Sequence, residues 1–195
     1  MKIGVGVEGP SDRAFWSKVL HKHFRSVQFD IRNMKSREKL IRETSRLLDS
    51  FRGLGYGAAF ILVDRDKSPC VSSVLDEFEN HVREEARKAS SSRYLFVCVA
   101  VRELEAWFLA DPMAVNVVLP NCGYTAPAET GEAGAATVLV RLWRAQYGQA
   151  AFNKIEFANS MAPKFAPDQA CQHSTSFAYF WNQIRSRVAS QHRLP

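Results

Sequence analysis

The chain has 195 residues, of which 46% are hydrophobic and 24% charged, proportions that are ordinary for a globular protein. This length favours one α/β domain with a C-terminal extension over two full domains. The net charge of +6 favours a polyanionic partner, although the basic excess is spread along the chain and forms no tail. The first apolar run is too short for a secretory signal and no segment has the length of a membrane span, so we expect a cytoplasmic protein.

The cysteines are too widely spaced for a Cys-x-x-Cys metal site, so they are expected to be free thiols. They are Cys70, Cys98, Cys122 and Cys171.

Strands and helices are predicted to alternate through residue 111. In chain order, the strands cover residues 2–7, 27–31, 58–63 and 94–101, and the helices cover about 11–24, 36–51, 71–89 and 102–111. Apolar runs of β-branched and aromatic residues mark the strands, and apolar residues at helical spacing mark the helices. The alternation predicts a mostly parallel sheet with right-handed crossovers.

The rest of the chain is predicted to be helical. Residues 116–134 are rich in Pro, Gly, Thr and Ala and predict a surface loop. Helices are then predicted over 135–147, about 152–165 and about 174–189. The resulting organisation is an α/β domain over 1–115, a loop over 116–134 and an α-helical extension over 135–195 packed on the same domain.

Acidic residues follow three of the predicted strands. Glu8 ends the first strand, Asp64 and Asp66 end the third, and Glu103 and Glu105 lie just beyond the fourth. For the ends of the first and third strands to meet, the strand order should be 2-1-3-4, with a switch point between those two strands. The acids are therefore predicted to share one crevice, with Glu103 or Glu105 on its far side.

Several carboxylates in one crevice repel each other unless a cation offsets their charge. Hard oxygen ligands favour Mg²⁺ or Mn²⁺, which can also hold phosphate oxygens and activate a nucleophile. The alternative is that Asp64 and Asp66 solvate a loop and cap the next helix. The chain has no P-loop, and its Gly4-Val5-Gly6 lies inside the first strand, so the dinucleotide-binding glycine motif is absent. A receiver domain requires an acidic pair directly after its first strand, whereas this chain has one acid there, Glu8, before Asp12.

Two turns carry a resemblance to a known superfamily. Glu8-Gly9-Pro10-Ser11-Asp12 after the first strand and Asp64-Arg65-Asp66 after the third resemble the TOPRIM pattern of a lone Glu followed by an Asp-x-Asp. This superfamily includes topoisomerases, DnaG-type primases and the nuclease domains of OLD proteins. The run Glu103-Leu104-Glu105-Ala106-Trp107-Phe108-Leu109-Ala110-Asp111 is similar to the signature of an uncharacterised bacterial TOPRIM-like family that is often encoded near ATPases in phage-defence loci. The implied fold is a three-layer, Rossmann-like TOPRIM domain with a C-terminal helical appendage.

The resemblance implies roles for the acids. Glu8, Asp64 and Asp66 would be the catalytic residues, with Glu8 as general acid or base that also touches metal, and the two aspartates as ligands of Mg²⁺ or Mn²⁺. Glu103 would complete a second metal position, for which Glu105 is a further candidate. The Trp of this run is expected to pack in the core.

Basic residues near the acids are candidates for binding phosphate. Arg65 and Lys67 flank the acidic pair, and Lys154 lies in the C-terminal part, where it could turn toward the crevice. The alternative for each is a solvated side chain or an ion pair with a neighbouring acid.

The sequence thus predicts a Mg²⁺-dependent phosphodiesterase, in particular a small nuclease acting on DNA or RNA through attack by water, with an ATPase as candidate protein partner. The chain has no room for the separate tyrosine-bearing domain of a topoisomerase. Two alternatives stay open, a non-catalytic interaction subunit with the same fold and a phosphoryl-transfer enzyme acting on a small phosphate ester.

Overall fold

A four-stranded parallel sheet forms the centre of the molecule. The computed structural model describes residues 1–88, 94–125 and 134–191. Its strands are β1 (Lys2–Val7), β2 (Gln28–Asn33), β3 (Ala58–Asp64) and β4 (Leu95–Ala100), in the order β2-β1-β3-β4. The predicted α/β class and strand order are confirmed.

Helices cover both faces of this sheet. They are α1 (Pro10–His23), α2 (Arg37–Gly53), α3 (Val71–Lys88), α4 (Glu105–Leu109), α5 (Pro112–Val118), α6 (Ala135–Tyr147), α7 (Lys154–Met161), α8 (Pro167–His173) and α9 (Thr175–Gln191). Among the described residues, no helix is long and apolar enough to cross a membrane.

The central strand β3 separates two hydrophobic cores. Successive side chains of a strand point to opposite faces. Phe60 and Leu62 therefore pack with α1 and the C-terminal helices, whereas Ile61 and Val63 pack against α2 and α3. All four side chains are fully buried, as expected for a strand that has helices on both sides.

The close packing of α2 on the sheet depends on two glycines inside β1. A Cβ atom on Gly4 would lie 2.4 Å from the ring of Phe51, and one on Gly6 would lie 2.8 Å from Leu47. Both aromatic and aliphatic side chains of α2 therefore sit directly on the β1 backbone. These glycines serve helix–strand packing.

The C-terminal helices share the larger core with the sheet. Trp107 of α4 is fully buried, stacks on Phe180 of α9 with ring centroids 5.4 Å apart, and donates a hydrogen bond from Nε1 to Ser176 Oγ at 2.8 Å. Trp16 of α1 contacts the same two rings edge-on. The prediction that Trp107 packs in the core is confirmed.

Several predicted boundaries were wrong. The helix predicted over 102–111 begins only at Glu105, because Arg102 has φ 74° and cannot be helical. Helix α5 occupies Pro112–Val118, beyond the predicted start of the loop at 116, and residues 126–133 of that loop lie outside the described residues. The helix predicted over 152–165 ends at Met161, and the separate helix α8 that starts at Pro167 was missed.

Candidate functional site

The loops at the carboxyl edge of the sheet have an unusual backbone. Each of the loops after β2, β3 and β4 contains a residue with positive φ, namely Lys35 at 77°, Asp66 at 49° and Arg102 at 74°. They are the non-glycine residues with positive φ in the described ranges, and each such conformation costs about 1 kcal/mol. Asp66 N donates to Arg102 O at 2.8 Å, which fixes the loop after β3 against the loop after β4. Strained residues gathered at one edge are typical of functional sites.

Two predicted acids are joined to each other through the backbone at this edge. Asp64 N donates to Glu8 Oε1 at 2.8 Å, and Leu104 N donates to Asp64 Oδ1 at 2.6 Å. Glu8 therefore lies against the end of β3, and Asp64 lies against the segment that follows β4. The prediction that the ends of the first and third strands meet is confirmed.

The surroundings of this pair oppose negative charge. Burial, together with the nearby charges of Asp66 and Asp12, raises the pKa of Glu8 from 4.5 to about 7, even though the Asp64 amide and the Arg37 cation act in the other direction. Burial also raises the pKa of Asp64 well above its usual range, and the charges of Glu8, Asp12 and Asp66 add to this effect. The pair holds more negative charge than its surroundings stabilise.

Asp12 is a member of this cluster that the sequence analysis missed. It lies in the first turn of α1, its side chain is 5% exposed, and its Oδ2 accepts a hydrogen bond from Gly9 N at 2.9 Å. Burial raises its pKa, and Lys154 opposes that rise. An acid in the first turn of a helix is commonly a helix-capping residue, which is a sufficient explanation at the level of sequence. The available signal was its position four residues after Glu8, at the end of the same turn.

The residues around Asp66 are partly open to solvent. Asp66 itself is exposed, and its charge acts on Glu8 and Asp64. Lys67 is exposed as well. The Nε of Arg65 is buried, and it has no hydrogen-bond partner within the part of the chain that the structure describes.

Lys154 reaches the acids from the C-terminal helices. The ammonium group of Lys154, at the start of α7, forms an ion pair with Glu105 Oε1 at the start of α4. The Glu105 side chain is 2% exposed, whereas that of Lys154 is 47% exposed. Because Lys154 also acts on Asp12, it lies between Glu105 and the cluster.

Glu103 has a different partner. Its Oε2 accepts a hydrogen bond from Ala136 N at 2.8 Å, in the first turn of α6. Gly134 also approaches this carboxylate, since a Cβ atom there would lie 3.2 Å from Oε1. Glu103 therefore holds the amino terminus of α6.

The oxygen atoms that could bind a cation at this edge belong to Glu8, Asp12, Asp64 and Asp66. Within residues 1–88, 94–125 and 134–191, no three His, Cys, Asp or Glu side chains are already arranged around a common metal position.

The fold and this edge define the class of protein: a parallel α/β protein whose acidic residues gather at the carboxyl ends of its strands. The chain belongs to the family described as a domain of unknown function, DUF4276, whose profile matches residues 7–185. A search of curated protein sequences found no significant match.

Two solved structures have a similar fold. One is the C-terminal region of the Xanthomonas campestris pv. campestris OLD protein, at 20% identity over 98% of each chain with a TM-score of 0.51. The other is the C-terminal region of the Burkholderia pseudomallei OLD protein, at 18% identity over 95% of this chain and 98% of that chain, also with a TM-score of 0.51. At these sequence identities the similarity shows a shared fold alone.

Proposed function

We propose that this protein is a Mg²⁺- or Mn²⁺-dependent phosphodiesterase, specifically a small nuclease that cleaves DNA or RNA. The observation that carries the proposal is the hydrogen-bonded pair Glu8 and Asp64, whose pKa values are both raised at the carboxyl edge of the sheet. Carboxylates with perturbed pKa values in such a position are typical of active sites.

The cluster is chemically suited to a hard divalent ion. Buried carboxylates that repel one another are stabilised by a cation, and oxygen ligands select Mg²⁺ or Mn²⁺. Mg²⁺ usually takes only one or two carboxylates and fills its other positions with water and substrate phosphate, so it does not require a complete protein cage. Glu8, Asp64 and Asp66 would hold the ion, with Asp12 beside them. When bound, such an ion polarises the phosphate and lowers the pKa of water.

Glu8 is suited to moving a proton. The carboxyl group of Glu8 has a pKa of about 7 in the metal-free site, and a cation bound beside it would lower that pKa. In the loaded site Glu8 would therefore act as a base that accepts a proton from the attacking water. The amide of Asp64 fixes Glu8 Oε1, which orients the carboxyl group for that transfer.

Arg65, Lys67 and Lys154 would bind the phosphates of the substrate. Arg65 has a buried Nε without a partner among the described residues, and a phosphate oxygen would satisfy this donor. Lys67 is exposed beside it. Lys154 would have to exchange Glu105 for a phosphate, which is feasible because its side chain is half exposed.

The predicted metal roles of Glu103 and Glu105 stay predictions. For either to bind an ion, Glu103 would have to leave Ala136 N, and Glu105 would have to release Lys154. The fold shared with the C-terminal region of OLD proteins supports a nuclease-like domain. A role in phage defence and an ATPase partner, both implied only by the resemblance of the sequence motifs, are likewise proposals.

The proposal is tested by incubating the protein with labelled single-stranded and double-stranded DNA and RNA, with MgCl₂, MnCl₂ or EDTA. We expect cleavage that requires a divalent ion and that falls at least about a thousandfold in Glu8→Gln and in Asp64→Asn, because each removes a group acting directly on the reaction. Asp168→Asn, an exposed acid on α8, is the matched control and should cleave normally. Cleavage that survives both active-site substitutions would refute the assignment.

The remaining alternatives give different results in the same experiments. A protein that neither cleaves nor binds Mn²⁺ in a calorimetric titration would be an interaction subunit. One that binds Mn²⁺ and hydrolyses only small phosphate esters would be a phosphoryl-transfer enzyme.

A further inference from the structure

A cleft of about 670 Å³ opens directly beside the acid cluster. One wall is the turn Gly9–Ser11, which immediately follows Glu8, and the other is the segment Ala151–Glu156 at the start of α7. The two walls are held together because Lys18 and Lys22 of α1 donate hydrogen bonds to Asn159 O and Pro163 O, at 3.3 and 2.9 Å. The cleft is therefore held between α1 and α7, next to the turn that follows Glu8.

Several amides at the two helix ends are already engaged. Ile155 N and Glu156 N both donate to Asn153 Oδ1 at 3.1 Å, and Gly9 N donates to Asp12. Pro10 has no amide proton. Lys154, whose charge also acts on Asp12, is the cation of this lining, and Glu156 is its acid.

The remaining lining contains the polar residues Ser11 and Asn153, the exposed acid Glu156 and an apolar part. Pro10 is exposed, Phe152 is half-buried, and Ile155 is 42% exposed even though it is a large hydrophobic residue. Phe152 packs on Trp143 and Phe157, with ring centroids 5.5 and 5.9 Å away, so its ring is held in place. A cleft that places an aromatic ring and apolar side chains next to a lysine suits a flat heterocycle joined to a phosphate.

We propose that this cleft binds one unpaired nucleobase of a single-stranded nucleic acid, from the nucleotide next to the phosphate that lies at the acid cluster. This inference rests on the proposed nuclease function. The base would lie against Phe152 and Ile155, and its phosphate would face Lys154. A paired base is stacked inside a duplex and cannot enter a cleft of this size, so the cleft selects single strands.

The test measures binding without cleavage, by fluorescence anisotropy of a labelled decathymidylate in EDTA. Three ligands of equal length are compared, the decathymidylate, the same backbone with every base replaced by an abasic spacer, and a blunt ten-base-pair duplex. We expect both the abasic backbone and the duplex to bind about tenfold more weakly than the decathymidylate, the loss expected for one stacked base.

Substitutions in the lining of the cleft test where the base binds. Ile155→Ser and Phe152→Leu should each weaken binding of the decathymidylate about fivefold while leaving the abasic backbone unaffected. Leu54→Ser is the matched control, because Leu54 is also a large exposed hydrophobic residue, 52% exposed, at the end of α2 and outside the cleft. It should bind all three ligands as the parent does.

The outcomes separate this inference from the proposed function. Equal binding of the abasic backbone or of the duplex, an unchanged affinity in Ile155→Ser and Phe152→Leu, or no measurable binding of the decathymidylate would each overturn the inference. If the protein cleaves nucleic acid and binding is independent of the base, only the inference fails. If binding depends on the base and no cleavage occurs with divalent ions, only the nuclease function fails.

Discussion

Each of the two central acids is positioned by an amide from a different segment of the chain. Glu8 follows β1 and is held by the last residue of β3, and Asp64 is held by Leu104, beyond β4. These bonds stabilise the charged form of each carboxyl group, yet burial and like charges outweigh them, because both pKa values are raised. The sheet thus sets the geometry of the site, and the proposed divalent ion would offset its negative charge.

The raised pKa of Glu8 predicts how stability depends on pH. Its pKa is about 7 in the folded protein and 4.5 ordinarily, so between these pH values the folded chain binds more protons than the unfolded chain. The free energy of unfolding should therefore fall as pH rises through this window, by about 3 kcal/mol from Glu8 alone, and Asp64 should add a loss of the same sign.

Urea unfolding in EDTA at pH 4.5, 5.5 and 7.5 measures this dependence. Glu8→Gln should flatten the decline and should be more stable than the parent at pH 7.5, since it removes the buried charge. An identical pH dependence in parent and variant would show that Glu8 is not the titrating group.

The ion pair between Lys154 and Glu105 predicts a second effect. Lys154→Met leaves the buried Glu105 carboxylate without its cation and should lower the free energy of unfolding by about 2 kcal/mol. Adding Glu105→Gln in the same chain should restore most of that loss, because no charge is then left unpaired.

Urea unfolding of the two single variants and the double variant at pH 7.5 gives the coupling between these residues. Lys164→Met, an exposed lysine just after α7, is the control and should change stability by less than about 0.5 kcal/mol. Additive losses in the double variant would contradict the pairing.

Among the elements, the segment from α4 to α8 is held by one buried carboxylate. Asp111 is fully buried; its Oδ1 accepts from Ala114 N at 3.0 Å and caps α5, and its Oδ2 accepts from Ala166 N at 2.6 Å in the turn before α8. This acid closes the run that begins at Glu103, and its two oxygens join helices that are far apart in sequence. Its role here is structural.

We expect Asp111→Ala to cost about 3 kcal/mol of stability, the sum of a lost helix cap and an unsatisfied buried amide at Ala166. Thermal unfolding followed by circular dichroism measures it. Asp168→Ala, whose side chain is 83% exposed and pairs with Arg185 at 3.2 Å, is the matched control and should change stability by less than about 0.5 kcal/mol. Similar losses of stability in both variants would contradict the role of Asp111 in joining α5 to the turn before α8.

The sequence predicted the strands and their order well, because their apolar runs and terminal acids are local signals. The sequence could not predict which partner each side chain contacts after the helices have packed. Glu103 bonds Ala136, 33 residues later, and Lys154 meets Glu105 across two helices. Such pairs depend on tertiary packing. Asp12 was missed for the opposite reason, since an acid in the first turn of a helix is commonly explained by capping alone.

At the scale of the whole molecule, the C-terminal helices and the sheet have a common core. The ring cluster of Trp16, Trp107, Phe177 and Phe180 joins α1, α4 and α9 over one face of the sheet. Removing the helices would expose that face to water, so neither part has a complete core of its own.

This common core predicts that the two parts unfold together. Far-ultraviolet circular dichroism reports all helices and strands, whereas tryptophan fluorescence reports chiefly the aromatic cluster. We expect the two urea transitions to coincide within error, the behaviour of a single cooperative unit. An earlier transition in either signal would show that the helices separate from the sheet before it unfolds.

The bonds from Asp64 N to Glu8 and from Leu104 N to Asp64 also determine when the site can form. A chain that has been synthesised only as far as the loop after β3 contains Glu8, Asp64 and Asp66 but lacks the segment that fixes Asp64, and it also lacks Lys154. The acids are therefore assembled only after most of the protein has left the ribosome. Under the proposed nuclease function, this delay would keep the nascent chain inactive beside the messenger RNA from which it is being translated.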